Sequence, residues 1–207
     1  MATILRTWSY QYPWLYATVS TLATWMVGGE KRFHQLPLLG LSLGPEQTIL
    51  DLCCGGGQAT QFLVKTQAHV TGLDASPVAL QRAQAQVPQA AYVQGFAEAL
   101  PLPDNSFDLV HTSVALHEMT PEQLRQIIQE VYRVLKPGGI FTFIDLHAPH
   151  NWLYWPPLAL FMALFETETA WQLVKTDLMA LLEQNNFQDC QQWLYAGGSL
   201  QVLQARK

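Results

Sequence analysis

Residues 48–57, T-I-L-D-L-C-C-G-G-G, leave the chain few ways to fold. Ile49, Leu50 and Leu52 form an apolar run of strand length, and the three glycines directly after it predict a tight turn. Residues 58–65 then read as a helix. A second apolar run, residues 69–74, ends in Asp74, 23 positions after Asp51. Strand, glycine loop, helix and second strand in this order make a parallel β-α-β unit with its loop at the carboxyl end of the first strand. Glycine lets the backbone there approach a ligand, and an acid about 20 residues further on can accept from both hydroxyls of a ribose. The unit predicts a nucleoside site in an α/β fold.

Asp51 narrows the nucleoside. A dinucleotide would bring its pyrophosphate against this loop, where a carboxylate repels it, and the third glycine of G-x-G-x-x-G falls on Thr60. A nicotinamide oxidoreductase is therefore disfavoured. A cationic nucleoside is welcome, and S-adenosylmethionine carries a sulfonium and an ammonium at one end and an adenosine at the other. Glycines alone signal only turn geometry. Their pairing with Asp51 and Asp74 is the specific part.

At these residues the chain resembles the class I S-adenosylmethionine-dependent methyltransferases, in particular the small-molecule branch called type 11. The family's D-L-G-C-G-T-G stands here as Asp51, Leu52, Cys53, Cys54, Gly55, Gly56 and Gly57. The resemblance continues through G-F-A-E-A-L-P-L-P-D-N-S-F-D-L-V at 95–110, V-L-K-P-G-G at 134–139 and I-F-T-F-I-D at 140–145, about half of the chain. Cys53 replaces the first glycine. Phe96 replaces an acid that commonly accepts from the adenine amino group, so the ring would flank or stack on the adenine instead. The resemblance implies that Asp51, Cys53 and the backbone of Gly55, Gly56 and Gly57 lie along the methionine end, and that Asp74 takes the ribose. Phe96 and Ala97 border the adenine, Ala75 lines its other face, and Thr112 and Ser113 lie under the cofactor. For Asp74 the plainer alternative is a strand-end carboxylate capping the next helix.

A chain of 207 residues, 49% of them hydrophobic, can bury one sizeable core and predicts a single domain, 1–207. Within it, 1–44 reads as an N-terminal helical cap, 45–145 as the cofactor core, 146–175 as a lid insertion and 176–207 as a closing helix and hairpin. A net charge of −5 with only 11 Lys and Arg makes nucleic acid a poor partner. Three cysteines, two of them adjacent, give neither a disulfide framework nor a C-x-x-C metal site, so no metal is expected and a reducing cytoplasm fits. Residues 7–29 carry no charge, but the polar Thr, Ser, Tyr and Gln among them rule out a signal peptide or membrane span.

Pro13 suits a first helical turn, and Leu15, Val19, Leu22 and Met26 make one apolar stripe up to Gly28. That helix packs on the sheet domain, overhangs the active site with Trp8, Tyr10, Tyr12 and Trp14, or does both. Residues 30–41 predict a second short helix. Ser76 and Pro77 start a helix through about Val87, residues 91–94 make a third strand and residues 107–113 a fourth. Thr120 and Gln123 form a capping-box pattern before a helix with Leu124, Ile127, Ile128, Val131 and Val134 on its buried face. Residues 136–139 close it, and residues 140–145 make a fifth strand, apolar on both faces. Residues 177–186 predict a further helix, and residues 190–195 and 200–205 a hairpin around Gly197 and Gly198. The sum is a three-layer Rossmann-like α/β fold, mostly parallel, with a C-terminal antiparallel hairpin.

Residues 147–165 contain no Asp, Glu, Lys or Arg, and Pro156 and Pro157 interrupt the aromatic run. Such a segment needs something to cover. The leading expectation is the wall of an apolar pocket; a dimer interface and a peripheral membrane contact are the competing ones.

Methyl transfer from a sulfonium is an in-line displacement whose leaving group is already activated, so orientation supplies much of the catalysis. A hydroxyl or activated-carbon acceptor also benefits from a base, and His suits neutral pH. His117 after the fourth strand and His147 after the fifth are the catalytic candidates, with His150 third. For His117 the alternative is a hydrogen bond to a loop carbonyl. Cys53 and Cys54 read as loop-packing residues. The expected activity is S-adenosylmethionine-dependent methylation of a small apolar or aromatic acceptor such as a phenol or quinol. A non-catalytic S-adenosylmethionine-binding or scaffold protein is the alternative.

Overall fold

The computed structural model describes Thr24 and residues 27–207. The helix expected over residues 13–26 and the aromatic residues ahead of it lie outside these, apart from Thr24. Seven strands form one sheet: β1 Thr48–Leu52, β2 His69–Asp74, β3 Ala91–Gln94, β4 Phe107–Ser113, β5 Leu135–Leu146, β6 Gln188–Tyr195 and β7 Leu200–Arg206. Their order across the sheet is β3-β2-β1-β4-β5-β7-β6. The first five are parallel, and β7 runs antiparallel to both β5 and β6. The fold is the mostly parallel α/β sheet with a closing hairpin that the sequence pattern implies.

β1 and β4 lie at the centre, covered on both faces, which is why Leu50, Leu52, Leu109 and Val110 are fully buried and the strands read as continuous apolar runs. On one face Leu50, Leu52, Val110, Phe141, Phe143 and Leu203 share a core with α4, Pro121–Val134. This helix begins at the predicted capping box, in which the Thr120 hydroxyl accepts from the Gln123 N–H and the Gln123 side chain accepts from the Thr120 N–H. Its Leu124, Ile127, Ile128, Val131 and Val134 are all buried, each stabilising by about 1.5–3 kcal/mol relative to exposure. On the other face Ile49, Val70 and Leu109 pack with Leu63. That face also carries α1, Glu30–Gln35, and a 3-10 turn, Leu36–Leu38. The Pro37 carbonyl accepts from Thr142 Oγ1 (2.7 Å) and Gln204 Nε2 (2.9 Å), pinning the turn across the sheet.

The predicted helix over 58–65 is shorter than expected: α2 is Thr60–Leu63, followed by a 3-10 turn, Val64–Thr66, because residues 55–59 remain in the loop. α3, Pro77–Gln86, starts where predicted, with the Ser76 hydroxyl accepting from Ala79 N–H. β5 begins at Leu135, earlier than expected. Its pairing with β4 shifts between Phe107 and Leu109, so residues 136–139 form an irregular entry to the strand and do not belong to the helix end. Gly139 is required there, since a Cβ would lie 2.9 Å from the Lys136 carbonyl oxygen.

Pro156 and Pro157 do not interrupt the charge-free segment. They occupy the first turn of α5, Trp155–Phe165, where N–H groups have no intrahelical acceptor, so one continuous helix results. α6, Glu168–Leu173, and α7, Leu178–Gln184, complete the chain before the hairpin. Among the described residues no helix is long and apolar enough to cross a membrane.

Candidate active site

The carboxyl ends of β1 and β2 set the first half of the site. Asp74 accepts from the Gly55 N–H and the Ser76 N–H, both at 2.9 Å, so this carboxylate ties the glycine loop to the start of α3. The helix-capping alternative is therefore part of its role. Each oxygen keeps a further lone pair for a ligand. Gly57 has φ 90°, and a Cβ on it would lie 3.3 Å from the Ala83 Cα, so the loop lies flush against α3. Above Gly55 and Gly56 a Cβ would meet only the Gln58 side chain, which leaves the loop backbone open to a ligand.

Cys53 takes φ 57°, the left-handed conformation that glycine favours at this point. Burial, reinforced by Asp74 and Asp51, pushes its thiol up to about 12, so it is a protonated packing group and no nucleophile. Phe96 is 64% exposed beside buried Ala97, and Ala75 is exposed. At the end of β4 the Thr112 and Ser113 hydroxyls are buried without a hydrogen-bond partner. Two orphaned hydroxyls at the end of β4, and Asp74 at the end of β2 on the other side of β1, fit a nucleoside carrying ribose and amino-acid polar groups.

Asp51 is placed differently from a residue in open contact with a ligand. It is 1% exposed; Thr60 Oγ1 donates to one oxygen at 2.6 Å, and His111 Nδ1 lies 2.9 Å from the other. His111 escaped the sequence reading. Its signal was a histidine inside the apolar strand F-D-L-V-H-T-S, in direct register with Asp51. His34 of α1 is buried on the same face and stacks on Phe62 at 4.9 Å. Burial, then His111, pushes its ring down to about 4 against a smaller pull from Asp51.

The second half of the site forms around the end of β5. Asp145 is fully buried; one oxygen accepts from Leu116 N–H (2.8 Å) and His117 N–H (3.3 Å), the other from Leu146 N–H (2.7 Å) and from His117 Nδ1 (2.7 Å). His117 Nε2 lies 3.5 Å from Glu166 Oε2. Burial opposes a charge on this ring, but Asp145, and then Glu166 and Glu118, outweigh it and raise its pKa to about 9. His117, Glu118 and Glu166 bring ligand-type atoms within 4.8 Å of one another, and the His117 proton already supplies positive charge there. Glu166 was also missed; it is the first acid after the charge-free segment.

His147 stands apart from this group. Its Nδ1–H donates to the Gly198 carbonyl (2.9 Å), its ring stacks on His150 at 5.7 Å, and the two line a cleft of about 560 Å³ with Asp177, Met179 and Gln192. Glu166 instead lines a cleft of about 380 Å³ with Met162 and Trp171.

The sequence of this site matches relatives. Residues 49–139 match the model of a methyltransferase domain. An uncharacterized methyltransferase, sll0829, of Synechocystis sp. is 69% identical over 206 residues, covering 100% of this chain and 97% of that one. A 2-phytyl-1,4-naphtoquinone methyltransferase of Nostoc sp. is 33% identical over 140 residues, 63% of this chain and 60% of that enzyme. The fold is similar to the S-adenosylmethionine-dependent methyltransferase structure from Mesorhizobium loti, at TM-score 0.63 and 21% identity, over 87% of this chain and 99% of that one. With the glycine loop, Asp74 and the strand order in place, the chain belongs to the class I S-adenosylmethionine-dependent methyltransferases.

Proposed function

We propose that this methyltransferase modifies a small, largely apolar acceptor bearing one ring hydroxyl, of the phenol or quinol class. The observation that carries this is a charge-free helix that ends directly at a histidine and carboxylate cluster. α5 contains no charged residue, buries Leu158 and Met162 against Ala170 and Val174, and stacks Phe161 on Phe165 at 5.7 Å. Directly after it, Glu166 meets His117 at Nε2, and His117 meets Asp145 through its other ring nitrogen. Such a surface suits an acceptor with an apolar body and one proton to give up. The naphthoquinone named for the Nostoc methyltransferase supports the same reading.

S-adenosylmethionine, when bound, supplies a methyl group on a sulfonium. The residues that would hold it are Asp74 at the ribose, the backbone of Gly55, Gly56 and Gly57 and buried Asp51 at the methionine end, Phe96, Ala97 and Ala75 around the adenine, and Thr112 and Ser113 beneath. Cys53 shapes the loop. His117 in its neutral form takes the hydroxyl proton at Nε2, while Asp145 fixes the ring through Nδ1 and steadies the charge that develops. Loss of that proton raises electron density on the acceptor oxygen and on the ring carbons next to it. His147, with Nδ1 committed to Gly198, leaves Nε2 to the second cleft, so His117 is the better-placed base. The reading places the enzyme in the cytoplasm.

The test is transfer of labelled methyl from S-adenosylmethionine to a panel of phenols, naphthoquinols with apolar tails, amines and carboxylates. Product is expected with the first two and should increase with apolar tail length. Transfer only to amines or carboxylates would overturn the acceptor class. Binding of the cofactor without product from any acceptor would favour a non-catalytic binding protein.

A further inference from the structure

The polar group that the proposed reaction leaves unused is His111. It lies on β4 in direct register with Asp51 of β1, and both side chains are 1% exposed in the centre of the sheet. One ring nitrogen meets Asp51 at 2.9 Å; the other, Nε2, is buried with no partner at all. A buried imidazole satisfied on one side only is a poor device for stability, because the unpaired nitrogen has lost its water for nothing. A Val at this central-strand position would pack at no such cost. The fold therefore gives no reason for a histidine here, whereas Asp51 does.

The tautomer follows from the same geometry. A proton on Nε2 would be a buried donor without an acceptor, so the ring N–H sits on Nδ1 and donates to Asp51. With Thr60 Oγ1 donating at 2.6 Å to the other oxygen, both oxygens of Asp51 are held by donors. His34, the other imidazole of this buried face, stacks on Phe62 and also has an unpartnered ring nitrogen, Nδ1. Thr60 opens the helix that follows the glycine loop, so the carboxylate is fixed beneath the loop that receives the sulfonium and ammonium.

We propose that His111 is a positioning residue for the methyl donor: by donating to Asp51 it holds that carboxylate in place under the glycine loop and sets the preference of the site for the sulfonium donor over the neutral thioether product. The inference rests on the methionine end lying over Asp51. A shape-only role for His111 would affect both ligands alike, because S-adenosylmethionine and S-adenosylhomocysteine share every group except the charged methyl-sulfonium.

The experiment is calorimetric titration of both ligands into the wild-type protein and into His111→Val, His111→Asn and Asp51→Asn. His111→Val leaves Asp51 short of a donor, frees its carboxylate from the position under the loop, and should raise the ratio of Kd for S-adenosylmethionine to Kd for S-adenosylhomocysteine by about tenfold. His111→Asn offers an amide N–H in place of the ring N–H and should return the ratio to within about threefold of wild type. Retained S-adenosylhomocysteine binding shows that a variant is folded. A ratio that moves in Asp51→Asn but not in His111→Val overturns the role of His111. A ratio that moves in neither removes Asp51 from the donor site as well, and the inference falls with it.

Discussion

His117 makes the pH dependence of stability a sharp test of the β5 site. Its ring titrates near 9 in the folded protein, against about 6.5 when unfolded, because Asp145 lies 2.7 Å away and Glu166 3.5 Å away. A base whose pKa is raised on folding contributes stability that is complete below about pH 6.5 and is lost as pH rises through about 9. The whole effect is about 3 kcal/mol, at about 1.4 kcal/mol per pH unit, and about 1 kcal/mol of it disappears between pH 7 and pH 8. This window avoids His34, whose lowered pKa costs stability only as pH falls below about 6.5, and the raised thiols of Cys53 and Cys54, which cost stability as unfolded cysteines ionise near 8.5–9. Urea unfolding should show it as a midpoint lower by about 0.5 M at pH 8 than at pH 7, for a slope of about 2 kcal/mol per molar. His117→Gln keeps an N–H for Asp145 and removes the titration, so its midpoint should stay level across the window. Parallel profiles for the two proteins would refute the claim that His117 is held as an imidazolium, whatever their absolute stabilities.

On the proposed function the same residue also governs rate. With a phenolic acceptor, kcat/KM should climb tenfold per pH unit below about pH 9 and level above it, and Glu166→Gln, by removing a negative neighbour, should move that bend to lower pH. Asp74→Asn removes the charge that holds the Gly55 and Ser76 N–H groups and should weaken S-adenosylhomocysteine by about 10–100-fold in calorimetry, as loss of hydrogen bonds to a charged group implies. Gly57→Ala forces a side chain into φ 90° against Ala83, and should lower Tm by roughly 3–10 °C in a thermal scan.

Much of the fold was legible because its signals are local. Ser76 with Pro77, Thr120 with Gln123, and the apolar runs of the central strands each encode an element within a few residues, and each element lies where its signal does. The misreadings arose where a distant neighbour decides. The β4 register shift makes residues 136–139 part of a strand, and the loop's need to lie against Ala83 shortens the helix after it. The prolines at 156 and 157 looked like an interruption because sequence alone does not say that Tyr154 is the residue before the helix. The site divided in the same way. Asp74 and the glycines carry their own motif, whereas His111 and Glu166 have meaning only through partners 60 and 49 positions away, Asp51 and His117.

Glu166 shows why the charge-free helix and the polar cluster form one device. It stands at the carboxyl end of α5, where the carbonyls of the last helical turn concentrate negative charge, and a carboxylate there is unfavourable by a few tenths of a kcal/mol up to about 1 kcal/mol. The imidazolium of His117 reverses that balance, since a cation 3.5 Å from Glu166 attracts both the carboxylate and the helix end. The proton on His117 therefore does two things at once. On the proposed function it sets when the ring can act as a base, and it draws the uncharged helix toward the ends of β4 and β5, where the 3-10 turn Leu116–Glu118 carries His117 against Asp145. On the proposed function, an apolar acceptor seated beside His117 would strengthen these charge interactions by lowering the local dielectric, so an apolar body on the acceptor and the charged pair on the enzyme would favour each other.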